Sequence, residues 1–281
     1  MSLRISEHIP GMLTRWLPGW LIRIGWTISR QLPGTDVRCR WRVRSRHDVS
    51  RVSSAWVKEP GTIEWIRDGV RVGDVVWDIG ANIGIYSIPL GHRVRGSGGR
   101  VIAVEPSLAS AASLAENIAV NDLGGVVHLV CEPVAATTSD GAMSISRRHL
   151  ESGKSGLQFR TDPDHSTSAP MVRFVRSVSP ADLQVLTGSS PTIIKIDVDG
   201  LDYEILEGLK EILMSESRPR LVSVEMRADE PRFVALMESL GYELREMNFG
   251  MLGSMRIRQG EDPSLVSGNG IFVPRDVDTV R

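Results

Sequence analysis

Asp78-Ile79-Gly80-Ala81-Asn82-Ile83-Gly84 follows the apolar run Val75-Val76-Trp77 and leads into Ile85-Tyr86-Ser87-Ile88-Pro89-Leu90. That order predicts a strand, a tight glycine turn and a helix. A second apolar run, Val101-Ile102-Ala103-Val104, ends in Glu105. Carboxylates closing two successive strands around a glycine turn suit a ligand with a cationic amino-acid end and a ribose diol. Asp78 would hold the turn or receive an ammonium, directly or through water. Glu105 would accept both ribose hydroxyls, since an ionised carboxylate offers two acceptor oxygens. Gly80 lets the backbone turn sharply and a ligand approach without a Cβ in the way. Gly84 permits close packing where the helix begins, and Asn82 is the residue that next best tolerates left-handed backbone angles. S-adenosylmethionine has this charge and shape.

An NAD-binding oxidoreductase also carries an acid about twenty residues beyond its glycines, so Glu105 does not separate the two ligands. Asp78 does, because it would repel a pyrophosphate, and the turn lacks the G-x-G-x-x-G spacing. An NAD-dependent enzyme is the second reading. A cofactor-binding scaffold without activity is the third, opposed by the intact set Asp78, Glu105 and Asp197.

These groups need elements to bring them together. Residues 64–71 read as a short helix ahead of the first strand, and 108–121 as a helix ending in Asn117 and Asn121. Residues 126–130 form the third strand and run into Cys131-Glu132. The polar, turn-rich stretch 139–179 carries strands near 143–146 and 171–175 and would help to shape an acceptor pocket. Residues 180–186 suggest a helix with Pro at its start. Residues 193–197 make the fourth strand, followed by a helix over 203–214. Residues 221–225 make the fifth, followed by a helix over 231–240, and the last two strands fall at 244–248 and 270–273. The alternation predicts an α/β protein with a Rossmann-like, doubly wound, mainly parallel sheet. Ligands of such sheets bind beyond the carboxyl ends of the strands. Asp78, Glu105, Glu132 and Asp197 all fall near such ends.

Charge is uneven along the chain. Residues 1–58 carry eleven Arg or Lys against three Asp or Glu, and five of the seven Trp, although the whole chain has a formal net charge of -1. They read as a basic, Trp-rich extension of helices plus a strand, ahead of a domain spanning 59–281. Residues 12–26 are too short and too interrupted by Arg15, Pro18, Gly19 and Arg23 to span a membrane. Packing on the catalytic domain or on a partner subunit is the first expectation. Peripheral contact with a membrane surface is the second, and a homo-oligomer stays open. Arg38, Arg40, Arg42, Arg44 and Arg46 alternate with mostly apolar residues, which puts the arginines on one strand face. They read as a charge-guarded edge strand, or as a cationic wall for an anionic substrate.

Three blocks together resemble the FkbM family of S-adenosylmethionine-dependent methyltransferases. They are Val76 to Gly84, Val101-Ile102-Ala103-Val104-Glu105-Pro106-Ser107, and the run Ile194-Lys195-Ile196-Asp197-Val198-Asp199-Gly200-Leu201-Asp202-Tyr203-Glu204 continuing to Gly208. The last is the most specific, because generic methyltransferases lack its Lys-Ile-Asp-Val-acid-Gly core. The similarity covers about residues 59–273. It implies a seven-stranded class I methyltransferase sheet and methylation of a hydroxyl on a sugar, glycolipid or polyketide. Asp199 and Asp202 stand where the family more often has Glu, which shortens both side chains. With Asp78 and Glu105, the residues Gly80, Ala81, Asn82, Gly84, Ser107 and Glu132 make up the expected cofactor-binding set.

Methyl transfer to an alcohol is an in-line displacement in which positioning counts for much. The alcohol must also lose its proton, to a carboxylate or with the help of a metal. Asp197 is the first candidate base, with Lys195 on the same strand face as its ion-pair partner. Asp199 and Glu225 are second choices, Asp199 equally well as turn chemistry, with Asp202 as a helix cap. No acid–amide pair follows Glu225 on its strand, and the six His form no ligand pattern, so no metal is assigned. The near-neutral charge and the absence of an Asn-Pro-Pro-aromatic run weigh against nucleic acid. The expected acceptor is a small molecule, glycan or glycolipid. Cys39 and Cys131 match no metal or redox spacing, and a cytoplasmic location is expected because the methyl donor is made there.

Overall fold

The computed structural model describes residues 25–154, 159–161, 171–198, 200–227 and 230–275. The first 24 residues, Asp199 and much of the stretch 155–170 therefore lie outside the described residues, and with them the expectations placed on residues 12–24 and on Asp199.

The chain enters through a hairpin of β1 (Trp26–Gln31) and β2 (Arg38–Val43), then α1 (Arg46–Lys58) and α2 (Pro60–Glu64). The first half of the main unit follows: β3 (Val75–Ile79), α3 (Ser87–Val94), β4 (Arg100–Val104), α4 (Leu108–Val120) and β5 (Val127–Val130). A small antiparallel sheet comes next, with β6 (Asp140–Ile145) between β7 (Phe159–Arg160) and β8 (Met171–Arg176). The second half is α5 (Pro180–Thr187), β9 (Ile193–Ile196), α6 (Asp202–Gly208), α7 (Lys210–Met214), β10 (Leu221–Arg227), α8 (Pro231–Ser239), β11 (Tyr242–Asn248), α9 (Gly250–Arg258) and β12 (Ser267–Pro274).

The main sheet has seven strands in the order β11-β12-β10-β9-β3-β4-β5. β3, β4, β5, β9 and β10 run parallel, and β12 is antiparallel to both of its neighbours. The chain winds outward from β3 to β5, then returns to β9 on the other side of β3. That reversal leaves a crevice at the carboxyl ends of β3 and β9. The central strands are apolar because helices cover both faces; Val76, Trp77, Ile193 and Ile194 are all fully buried.

Two expected helices differ in extent. The one read at 64–71 starts earlier, with Pro60 in its first turn, and continues as a wider turn over Trp65–Gly69. Proline has the φ of that position and needs no N–H bond there. The one read at 203–214 divides into α6 and α7 near Gly208, where an added Cβ would lie 2.8 Å from Ala136 Cα. The hairpin, α1 and α9 were not read as elements with these bounds.

The hairpin and α1 share a core with one face of the main sheet. Ile28, Leu32, Trp41, Val49 and Val52 pack in one cluster with Val76, Ile83, Ile88, Val101 and Leu114. Trp41 is fully buried and its Nε1 donates to Gly84 O at 3.2 Å. The boundary expected at 58/59 thus falls at the end of α1, with the core continuous across it. β2 alternates as expected, with Cys39, Trp41 and Val43 buried between its arginines. Its outer edge is closed by α4: Asn121 Oδ1 accepts from Arg40 N at 2.9 Å, and Asn117 Oδ1 from Arg42 N at 2.7 Å. The arginines meet α4 as well, Arg44 pairing with Glu116 at 2.6 Å and Arg40 with Asp122 at 3.6 Å. These arginines lie along a helix rather than along the crevice.

Candidate functional site

A cavity of about 380 Å³ opens beyond the carboxyl ends of β3, β4, β9 and β10. Gly80 and Asn82 line it from the turn after β3, Glu105 and Ser107 from the end of β4, Asp197 from the end of β9, and Glu225 from β10.

The turn is shaped by close approach. Gly80 has φ of 91°, and a Cβ there would lie 1.9 Å from Asp197 O. Only glycine brings the two strand ends this near. Asn82 takes φ of 51°, and its Nδ2 donates to Lys154 O at 3.2 Å. Gly84 packs directly on α4, where a Cβ would come 2.5 Å from Leu114 Cδ1. Ala81 is buried behind the turn.

Glu105 is held by two backbone N–H groups, Ser107 N on Oε1 at 2.7 Å and Asn82 N on Oε2 at 2.8 Å. Burial pushes its carboxyl up to about 7 against the pull of those bonds and of Arg51. Each oxygen keeps a lone pair for a hydroxyl donor. Ser107 caps α4 by accepting from Ser110 N. Asp78 sits beneath the turn, fully enclosed, accepting from Ser87 Oγ. Its other oxygen, Oδ1, has no hydrogen-bond partner among the described residues. Burial raises the Asp78 pKa, opposed by the charge of Lys195. Glu132 is exposed, two residues past the end of β5, and does not line the cavity.

The expected catalytic residues meet at the floor. The Lys195 side chain is 1% exposed and its Nζ lies 2.7 Å from Asp197 Oδ2. The same amine stands 4.9 Å from the centroid of the Tyr86 ring. Desolvation opposes its charge, but Asp197, Glu59 and Asp78 override that and raise the Lys195 pKa. Asp197 keeps 35% of its side chain open. Although desolvation acts to raise it, the Lys195 charge and hydrogen bond hold it below its ordinary value. Glu225 stands beside Asp197 on the cavity wall; partial desolvation and that neighbouring charge push it up to about 8, an effect screened because the residue remains exposed. Asp202 accepts from Val198 N at 3.1 Å and Gly200 N at 3.2 Å, so it braces the turn after β9.

Several residues here were not read from the sequence. Glu59, at the end of α1, lines the cavity with Tyr86, bears electrostatically on it and accepts from Asn269 Nδ2 at 3.1 Å. Its one local signal is Pro60: the residue before proline is kept out of the helical region, and Glu59 adopts φ -132° and ψ 72°. Asn269 faces Glu225 across the β10–β12 ladder, so an acid and an amide do adjoin, on neighbouring strands rather than on one. Arg51, Ser54 and Lys58 line the cavity from α1, and Lys154 joins them from the loop after β6. Among the described residues, no three His, Cys, Asp or Glu are grouped to hold a metal ion.

The arrangement suits a cationic ligand that carries a diol. Acids from β3, α1, β9 and β10 surround a single buried lysine. The turn that excludes a Cβ and the Glu105 carboxylate line the cavity and fit the amino-acid and ribose ends of S-adenosylmethionine, whereas Asp78 lies behind the turn and does not line it.

Comparison with a family of known proteins agrees. The methyltransferase FkbM domain model matches residues 78–249. The hexuronic acid methyltransferase AglP of Haloferax volcanii is 24% identical over 220 residues, covering 74% of this chain and 80% of that one. Among solved structures, the methyltransferase FkbM from Methylobacillus flagellatus KT has a TM-score of 0.48 at 14% identity, over 78% of this chain. This chain spans about half of that one, 49%. An O-methyltransferase from Bacillus cereus in complex with SAH has a TM-score of 0.45 at 15% identity, over 81% of this chain and 86% of that one.

Proposed function

We propose a sugar hydroxyl as the methyl acceptor, from the premise that this chain belongs to the FkbM family of methyltransferases. S-adenosylmethionine is its cofactor. The observation that carries the proposal is Asp197: an acid kept ionised by a buried lysine, yet open to the cavity at the end of β9. A carboxylate so placed is a proton acceptor for an alcohol. The relative AglP, named for hexuronic acid, supports a sugar as the bearer of that alcohol.

When bound, S-adenosylmethionine supplies an electrophilic methyl group on a positively charged sulfur. Glu105 would hold the ribose hydroxyls and the Gly80 turn the amino-acid end, with Asp78, enclosed beneath that turn and outside the cavity lining, adding negative charge from behind it. Asp197 would accept the proton of the acceptor hydroxyl as that hydroxyl's oxygen takes the methyl group and the donor's methyl–sulfur bond breaks, leaving adenosylhomocysteine. Lys195 fixes the orientation of Asp197 and stays charged throughout. Glu225 lines the cavity beside Asp197, and the neighbouring charge disfavours its own ionisation, which limits repulsion between the two acids. We place the reaction in the cytoplasm, where the methyl donor is made.

The test is methyl transfer from isotopically labelled S-adenosylmethionine to a panel of oligosaccharides containing neutral and uronic sugars, read by mass spectrometry. Labelled O-methyl sugar is expected. An unlabelled panel combined with labelled polyketide alcohols would reject the sugar. Asp197→Asn should lower kcat by about 10²–10⁴-fold and leave adenosylhomocysteine affinity within about twofold. Unchanged turnover in that variant would remove the base assignment.

A further inference from the structure

We propose that one face of α1, together with Lys154, is an anion subsite for the acceptor, so that the methylated sugar carries a carboxylate. The inference rests on the sugar reading above and deepens it.

Arg51, Ser54 and Lys58 stand at i, i+3 and i+7 of α1, which puts them on one side of the helix, and all three line the cavity. That side faces the acidic strand ends. The cavity thus has a negative floor and a positive wall. The floor suits the methyl donor's sulfonium and the wall would repel it. Lys58 Nζ lies 3.8 Å from Glu59 Oε1, a long pair with an exposed lysine end, so the wall keeps positive charge for an anion.

The wall is held in place. Ser152 Oγ donates to Asp48 Oδ1 at 2.7 Å, and Ser152 O accepts from Ser45 Oγ at 3.1 Å. Gly153 N donates to Ser110 Oγ at 3.3 Å, and Gly153 O accepts from Arg51 Nε. Lys154 O accepts from Asn82 Nδ2 at 3.2 Å. Consecutive residues 152–154 are therefore each tied to α1, α4 or the glycine turn. This strap presents a lysine to the cavity, and no carboxylate among the described residues pairs with its amine within salt-bridge range.

The donor has a carboxylate too, so two anions compete for these cations. Lys58 separates them. Its charge acts on Asp197, the proton acceptor, whereas Arg51 acts on Glu105 at the ribose end. An anion on Lys58 lies beside the hydroxyl being methylated, where the acceptor must be.

Calorimetric titration of the adenosylhomocysteine-loaded protein with methyl glucuronide and methyl glucoside tests this. The glucuronide should bind about tenfold or more tightly than the glucoside, as expected for a charge-assisted contact. The double variant Lys58→Met, Lys154→Met should reduce that preference to about twofold or less, with adenosylhomocysteine affinity within about twofold of the parent. Lys58→Arg with Lys154→Arg should retain it. Equal binding of the two sugars, or binding of neither, overturns the subsite. So does a loss of adenosylhomocysteine affinity in the methionine variant, which would give the cations to the donor's carboxylate. Failure of the parent protein to bind adenosylhomocysteine would instead bring down the methyl-transfer reading itself.

Discussion

Glu105, proposed above to hold the ribose hydroxyls, is a buried carboxyl that would link cofactor binding to pH. Burial raises it to about 7, so below that pH it is largely neutral and a poorer acceptor for two ribose hydroxyls. Adenosylhomocysteine affinity should therefore rise as pH increases through about 7 and then level off. Glu105→Gln should bind about tenfold or more weakly at pH 8, from the loss of hydrogen bonds to a charged group worth roughly 1.5–3 kcal/mol, and with a flat pH profile; titrations at pH 6 and 8 decide it. The effect on the free protein has the opposite sign. An acid whose folded pKa is raised favours folding while it is protonated, so stability contributed below its unfolded value of 4.5 is lost as pH rises through about 7. Thermal melts from pH 5 to 8 should fall less steeply for Glu105→Gln than for the parent. Glu105 was legible because it ends the second strand of a local strand–turn–helix–strand pattern. Glu59 and Lys154 reach the same cavity from distant loops, and nothing in their own neighbourhoods announces it.

At the scale of elements, the hairpin edge is the informative case. Period two in residues 38–46 implied one strand face carrying five arginines. The strand holds Arg38, Arg40 and Arg42 and ends at Val43, with Arg44 beyond it and Arg46 opening α1, because Ser45 and Asp48 form a helix-capping box. The edge is guarded. The guard is not charge alone. Asn117 and Asn121, one helical turn apart on α4, close the exposed backbone of β2, and Asn117 Nδ2 also donates to Ile83 O at 2.8 Å. Asn117→Ala would leave Arg42 N–H and Ile83 C=O unpaired. It should destabilise the fold by about 1–3 kcal/mol, measured by urea denaturation, whereas an exposed change such as Glu116→Gln should cost about 1 kcal/mol or less. A helix reading of 108–121 gave the spacing of these amides but not their partners, which lie 75 and 81 residues away in the chain.

For the whole molecule, the described residues before the family match, from 25 on, belong to the same core and cavity as the matched domain. The hairpin and α1 cover one face of the sheet and build one wall of the cavity. Deleting residues 1–58 should uncover Ile83, Ile88 and Leu114 and yield aggregated protein that does not bind adenosylhomocysteine, as judged by gel filtration and titration. A monodisperse, binding-competent product would show that the later residues fold and function alone. Among the described residues no helix is long and apolar enough to cross a membrane.

The amino-acid sequence by itself determined the α/β alternation, the glycine turn and the acids at the strand ends, because each is written in contiguous residues with periods of 2 or 3.6. It also carried the Lys195–Asp197 pair, since residues two apart share a strand face. Only the tertiary structure decided that Glu132 stays outside the cavity, that Asp78 keeps an unpaired oxygen beneath the turn, and that Asn269 stands opposite Glu225. The roles of Glu59, α1 and Lys154 were decided there too. Strand order and helix packing bring such groups together across tens to hundreds of residues, and local patterns of polarity are blind to contacts made at that separation.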